Sequence, residues 1–154
     1  MRRQNTDRLY VLEIPLGNTS LLLPSAKIAE VISIGRLAPV PYAPDWLLGV
    51  TGWRSLAVPV VSFEGFLGGH RMLPGAGAKI VVLYPLTGRN EWEFVSILSS
   101  AEPRPRSVEE AGLVTAQEAD LPNSPYVAGG LKTPEGRLLI VPDLEALKTT
   151  FYPF

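Results

Sequence analysis

One segment of this chain occurs twice, and the repetition constrains the fold more than any other feature. Trp46-Leu47-Leu48-Gly49 is followed by Val58-Pro59-Val60-Val61 and ends at Leu67. Tyr126-Val127-Ala128-Gly129 is followed by Leu138-Leu139-Ile140-Val141 and ends at Leu147. A proline stands two residues or one residue ahead of each aromatic, Pro44 and Pro125. A repeat distance of about eighty residues is too long for a solenoid unit and points to two similar half-domains. The first copy also carries Arg54 between its glycine and its strand.

Fifteen prolines and fourteen glycines cut the rest into short pieces, the punctuation of strands in a sandwich or barrel. Leu9 to Leu16 alternates, with Tyr10, Leu12, Ile14 and Leu16 on one face and Glu13 on the other, as in a half-buried strand. Gly17-Asn18 predicts a two-residue turn back into Thr19 to Leu23. Ser25 is placed to cap a short helical turn. Val31 to Ile34, Val58 to Phe63 and Lys79 to Leu83 read as strands, and Pro59 points to an edge or a bulge. A hairpin near Thr87-Gly88-Arg89-Asn90 leads to alternating Trp92, Phe94, Ser96 and Leu98, which places Trp92 in the core. Glu102 to Arg106 is an extended polar connector. Asp143 predicts a cap for a final helical turn from Leu144 to Lys148. The expected architecture is all-β, with about ten short strands and little helix.

A length of 154 residues fits one domain or two small lobes sharing a core, and 46% apolar residues suffice to fill it. The expected organisation is a disordered tail at 1–6, one domain of two lobes over 7–150 with its second-half motif from about residue 124, and a tail at 151–154. Fourteen basic residues against fifteen acidic ones leave no basic excess for nucleic acid, and the only basic cluster is Arg2-Arg3 with Arg8. The absence of cysteine suits a reducing compartment. No apolar run approaches the roughly 20 residues that span a bilayer, and no signal-peptide pattern is present. These features predict a cytoplasmic protein without direct membrane insertion.

Catalytic chemistry is hard to assemble from this sequence. The single histidine, His70, lies in a glycine-rich loop between Gly65 and Gly77 and reads as an exposed loop residue. No G-x-S-x-G elbow, Walker motif or dinucleotide fingerprint occurs. Zinc would need ligands that do not cluster. No catalytic residue, metal site or cofactor is expected. Trp53 and Arg54 fall in a turn between strands; an aromatic beside an arginine there has the composition of an interface anchor, with local packing as the alternative.

From Pro41 to Gly68 the sequence resembles the CheW family, the coupling proteins of bacterial chemosensory arrays. The residues that carry the resemblance are Pro41-Tyr42-Ala43-Pro44, Trp46-Leu47, Gly49-Val50, Trp53-Arg54-Ser55, Val58-Pro59-Val60 and Leu67-Gly68. Ala29-Glu30-Val31-Ile32 is similar to the family's glutamate-bearing segment, Ser124 to Gly129 to its second-half motif, and Leu138 to Leu147 to its last strand and helix. The resemblance implies two SH3-like five-stranded β-barrel lobes around a shared core and no catalysis. It implies an adaptor between the cytoplasmic tip of a chemoreceptor and the regulatory domain of a CheA-type histidine kinase. It also implies that Arg54 and Glu30 pair. The expected partner-binding residues are Glu30, Trp46, Leu48, Gly49, Val50, Trp53 and Arg54, with Trp46, Leu48, Val50 and Trp53 forming an apolar patch. Trp53 and Ser55 replace the family's leucine and glycine around the arginine, and the aspartate usual after the valine-proline-valine strand is replaced near Ser62-Phe63. Rival readings are a scaffold in a type IV pilus pathway and a small-ligand- or nucleic-acid-binding barrel.

Overall fold

The structure is a computed structural model that describes residues 9–86 and 88–152. The expected disordered tail at 1–6 and the Arg2-Arg3-Arg8 cluster lie outside the described residues. Strands β1 (Tyr10–Pro15) and β2 (Ser20–Pro24) form the expected hairpin. The Leu16 N–H donates to the Thr19 carbonyl at 2.8 Å across Gly17-Asn18. A 3-10 turn, Ser25–Lys27, leads into β3 (Ile28–Ser33); Ser25 is the first residue of that turn, and no side chain caps it. The chain continues through β4 (Leu47–Trp53), β5 (Leu56–Val61), β6 (Lys79–Leu83) and β7 (Val95–Ser99). Then come β8 (Arg104–Ser107), β9 (Val114–Thr115), β10 (Val127–Lys132), β11 (Leu138–Pro142) and helix α1 (Leu144–Phe151).

Two sheets result. One has the order β3-β6-β7-β5-β4 and the other β8-β1-β2-β11-β10-β9. They share a pattern: β5 runs parallel to β7, and β11 runs parallel to β2, with every other pairing antiparallel. The first lobe is contiguous in sequence, whereas the second is completed by β1 and β2 from the opposite end of the chain. The repeated segment therefore forms β4–β5 in one lobe and β10–β11 in the other. Both hairpins slip register at the same place, between Leu47 and Gly49 and between Val127 and Gly129. Each bulge inserts one residue and bends its strand, so the repeat is one of bulge geometry as well as residue type.

The central strands are apolar on both faces because each lobe has an interior and both pack on a core between them. On β6, Ile80 and Val82 face the first lobe's interior with Trp53, Val58, Val60 and Leu98. Val81 and Leu83 face the shared core, where they meet Ile14, Leu21, Leu23, Ile140 and Leu147 from the second lobe. Each such fully buried side chain contributes about 1.5–3 kcal/mol relative to exposure. The second lobe's own cluster is smaller, built on Val11, Leu22 and Leu139. Glu13 is not on the half-buried strand's polar face as expected; it is 2% exposed, because both faces of β1 are covered. Pro59 lies in a strand flanked on both sides, but one residue ahead of Val60, where pairing with β7 begins. Its carbonyl accepts from the Ser96 hydroxyl at 2.9 Å.

Helix α1 starts as expected, with the Asp143 carboxylate accepting from the Ala146 N–H at 3.0 Å, but it runs on to Phe151. Phe151 and Tyr152, which the sequence leaves to a tail, pack against the shared core. Lys148 is buried and donates to the Tyr84 carbonyl. Burial pushes its pKa down to about 8, with the Glu93 charge opposing and Lys27 adding to the shift. Glu93 is held by Arg89 at 2.8 Å and Asn90 at 2.9 Å, and Arg89 also donates to the Tyr152 carbonyl. This network ties the helix of the second lobe to the β6–β7 loop of the first. It also reverses the expected alternation: Glu93 points in, while Trp92 is 55% exposed and stands edge-on to Tyr152. Strand β7 begins only at Val95, so the period-two pattern does not extend back to Trp92.

Candidate functional site

The β4–β5 hairpin closes through two residues, Arg54 and Ser55, between the paired Trp53 and Leu56. Both have positive φ, 49° and 65°. That is the backbone of a type I′ turn, which matches strand twist and favours asparagine and glycine. Neither is present here. Ser55→Gly relieves about 1–2 kcal/mol of left-handed strain against about 0.5–1 kcal/mol of added unfolded-chain entropy. A net gain of about 0.5–1 kcal/mol is expected, read as a higher urea midpoint at unchanged m; no gain would show that the turn is not strained.

The strand alternation of β4 sends Trp53 inward, where it is 6% exposed and meets Phe94 edge-on at 4.8 Å. Its indole Nε1–H donates to Glu30 Oε1 at 2.9 Å. Glu30 is on β3, and β3 and β4 are the two edges of the five-stranded sheet. One carboxylate thus clasps edge to edge. Arg54 Nη2 lies 3.5 Å from the same oxygen, and the guanidinium carbon sits 4.4 Å from the Trp53 ring centroid. The Arg54 side chain is 63% exposed. So open an ion pair contributes about 0–1 kcal/mol, and the cation–π contact about 0.5–1 kcal/mol. The cluster orients a turn more than it stabilises a fold.

Of the seven residues expected at the site, Glu30, Trp53 and Arg54 come together. Leu48, Gly49 and Val50 lie on the same strand as Trp53. Leu48 packs on the first lobe's core. Val50 exchanges two backbone hydrogen bonds with Ala38, at 2.8 and 2.9 Å. Gly49 faces the Ala38 carbonyl so closely that an added Cβ would lie 2.5 Å from it. Trp46 turns into the shared core, stacked on Phe66 at 4.8 Å and edge-on to Phe151 at 5.4 Å. The expected apolar patch of Trp46, Leu48, Val50 and Trp53 is therefore not one exposed surface. The bulge and the strand alternation turn these side chains in different directions.

An open groove of about 410 Å³ beside the turn escaped the sequence reading. Ala38, Val50, Gly52, Leu56 and Ala57 line it, with Arg36 and Ser55 at its wall. Its only sequence signal is the run Arg36-Leu37-Ala38 ahead of the proline loop, whose pairing partner on β4 is not local. Among the described residues, no group of three or more His, Asp or Glu side chains could hold a metal ion, and no helix is long and apolar enough to cross a membrane. Three of the four lysines are committed within the fold: Lys79 to Glu102, Lys132 to Asp120, and Lys148 to Tyr84.

Two SH3-like lobes on a shared core define the class of all-β protein to which this fold belongs. The family model of the CheW-like domain matches residues 11–150, and the chain belongs to that family. A 52-residue stretch is 38% identical to Protein FrzA of Myxococcus xanthus, covering 34% of this chain and 32% of FrzA. The fold is similar to that of the scaffolding protein TtCheW from Thermoanaerobacter tengcongensis, with a TM-score of 0.74. That match covers 94% of this chain and 90% of TtCheW at 14% identity.

Proposed function

We propose that this protein is a non-catalytic adaptor of a bacterial chemosensory system. In this reading it works in the cytoplasm and couples the tip of a chemoreceptor to the regulatory domain of a CheA-type histidine kinase. The observation that carries the reading is the exposed Arg54 on its two-residue turn, braced by Trp53 and Glu30, which the resemblance matches to the family's turn arginine. Membership of the family and the likeness to a protein described as a scaffold support it. Nothing in this mechanism is chemical: the protein would hold its partners together by binding each of them, with the Arg54 turn as one contact surface.

The test is capture from a lysate of the native host by the purified protein. Wild type is expected to recover a CheA-type kinase or a chemoreceptor, and Arg54→Ala to recover about tenfold less, as for a central arginine anchor. The fold should be unchanged by circular dichroism, because Arg54 is exposed. Recovery of neither kinase nor receptor by folded wild type would sink the coupling role, and recovery of pilus-motility components would move the adaptor to that pathway.

A further inference from the structure

The two hairpins of the repeat end differently inside their lobes. In the first lobe the last paired residue before the turn is Trp53, and its indole packs into the lobe's interior. In the second lobe Thr133 holds the same place, its N–H donating to the Arg137 carbonyl at 3.0 Å. A threonine does not fill the volume of an indole, and Thr133 borders a cavity of about 260 Å³. Ala111, Leu113, Pro134 and Leu139 give the cavity an apolar lining, and Glu13, Arg106, Arg137 and Glu135 bring charge to it. Glu13 gives one oxygen to each arginine: Arg106 reaches Oε1 through Nε alone, and Arg137 reaches Oε2 through Nη1 alone. A guanidinium has five N–H donors. Among the described residues, Arg106 therefore keeps its Nη pair free, and Arg137 keeps its edge of Nε and Nη2. With Arg104 opposite Glu13 in the β1–β8 register, the arginines outnumber Glu13 and Glu135. Glu109 accepts instead from the Leu9 N–H and the Ser107 hydroxyl.

The turn that borders the cavity satisfies its own backbone. The Gly136 N–H donates to the Thr133 carbonyl at 2.8 Å, and the Arg137 N–H to the Thr133 hydroxyl at 3.0 Å. It offers an extended peptide little to pair with, so recognition falls to the side chains of the cavity, whose size limits the guest to a small molecule. We propose that this cavity binds a small carboxylic acid with a compact apolar body. The carboxylate takes the free donors of Arg106 and Arg137, whose paired N–H groups match its two oxygens. The apolar body fills the kind of space that Trp53 fills in the first lobe. Glu13 is a positioning residue: buried and bound to both arginines, it holds the forks in place before a ligand arrives, which lowers the ordering cost of binding. The assignment goes beyond the adaptor reading and does not depend on it, because the Arg54 turn belongs to the other lobe.

Benzoate is the probe, with benzamide as its neutral isostere, and amide NMR of the full chain reads the binding. Benzoate should give saturable shifts centred on Leu113 and on Thr133 to Arg137, and benzamide should bind at least tenfold more weakly. Arg137→Gln should weaken benzoate tenfold or more. Thr133→Phe, which puts a ring into the cavity, should abolish saturation. The dispersion of each variant's spectrum reports its fold; should a variant not fold, the comparison of benzoate with benzamide on wild type decides alone. Equal binding of benzamide and benzoate would overturn the proposal, as would saturable shifts located elsewhere or none at all. Benzoate affinity that either folded variant leaves within twofold of wild type would overturn it too. None of these outcomes alters what the capture experiment says about a kinase or receptor.

Discussion

Gly49→Ala is expected to destabilise the protein by about 3–5 kcal/mol, while Gly129→Ala, at the same place in the repeat, leaves it unchanged or slightly more stable. Two independent penalties meet at Gly49. Its φ of 151° lies in territory that side-chain-bearing residues avoid, a cost of about 1–3 kcal/mol. Its added Cβ would also stand 2.5 Å from a backbone carbonyl, that of Ala38. That carbonyl cannot swing away without breaking its hydrogen bond from the Val50 N–H at 2.8 Å. At Gly129 no heavy atom lies within 4 Å of the added Cβ. Alanine there removes only unfolded-chain freedom, about 0.4–1 kcal/mol in favour of the fold. Urea denaturation of the two variants decides the matter. Equal losses would mean that the bulge, common to both hairpins, demands the glycine, and not the close approach of Ala38.

The same pair of glycines shows what can be read from the letters alone. The repeat announces two similar lobes, because a bulged hairpin needs an aromatic, a glycine and an apolar strand at fixed spacing, and those are local features. The partners of each hairpin are not local. Nothing around Gly49 reveals that Ala38 will seal its edge, and nothing around Gly129 reveals that its front stays open. For the same reason, β1 and β2 read as the start of a first unit, yet they complete the second lobe beside β8 and β11. At the candidate site, Arg54 and Glu30 are legible as a pair through the family resemblance. The role of Trp53 is not, since an indole in a turn can face either way until the opposite edge strand supplies a carboxylate. Trp92 fails in the other direction: period-two alternation places it inside, but the strand starts three residues later and the buried Glu93 network pushes the indole out.

A larger departure from local pattern sits inside the second lobe, and it carries a second strong expectation. Replacing Arg106 with methionine should cost about 3 kcal/mol, the low end of the range for breaking a buried ion pair. The Glu13 carboxylate is almost wholly buried, with Arg106 Nε donating to Oε1 at 2.7 Å and Arg137 Nη1 to Oε2 at 3.1 Å. Those arginines come from β8 and from the turn between β10 and β11, so a single acid cross-links three elements of one lobe. In the first lobe β6 fills its inward face with Ile80 and Val82 instead. Loss of Arg106 leaves a buried charge with one arginine and Ser20; Arg137, which is partly exposed, limits the damage. The double variant Glu13→Leu, Arg106→Met removes charge and partner together and should regain most of the loss, because a hydrophobic replacement of a buried pair is often neutral.

Acid gives the second readout of the same cluster. Burial by itself would raise the Glu13 pKa, but hydrogen bonds from Arg106, Ser20 and Arg137, with the Arg137 charge, outweigh it and hold the group below the ordinary value of 4.5. A carboxyl depressed in the fold binds fewer protons there than in the unfolded chain. Its stabilisation is complete above 4.5 and disappears as pH falls through the folded value. Wild type should therefore lose stability below that pH, and the double variant should lose less. Glu93, also held below the ordinary carboxyl value against the raising effect of burial by Arg89 and Asn90, keeps a share of the acid limb in both proteins. An acid limb identical in wild type and double variant, or an Arg106→Met cost under about 0.5 kcal/mol at neutral pH, would show that solvent already screens the cluster as it screens a surface pair.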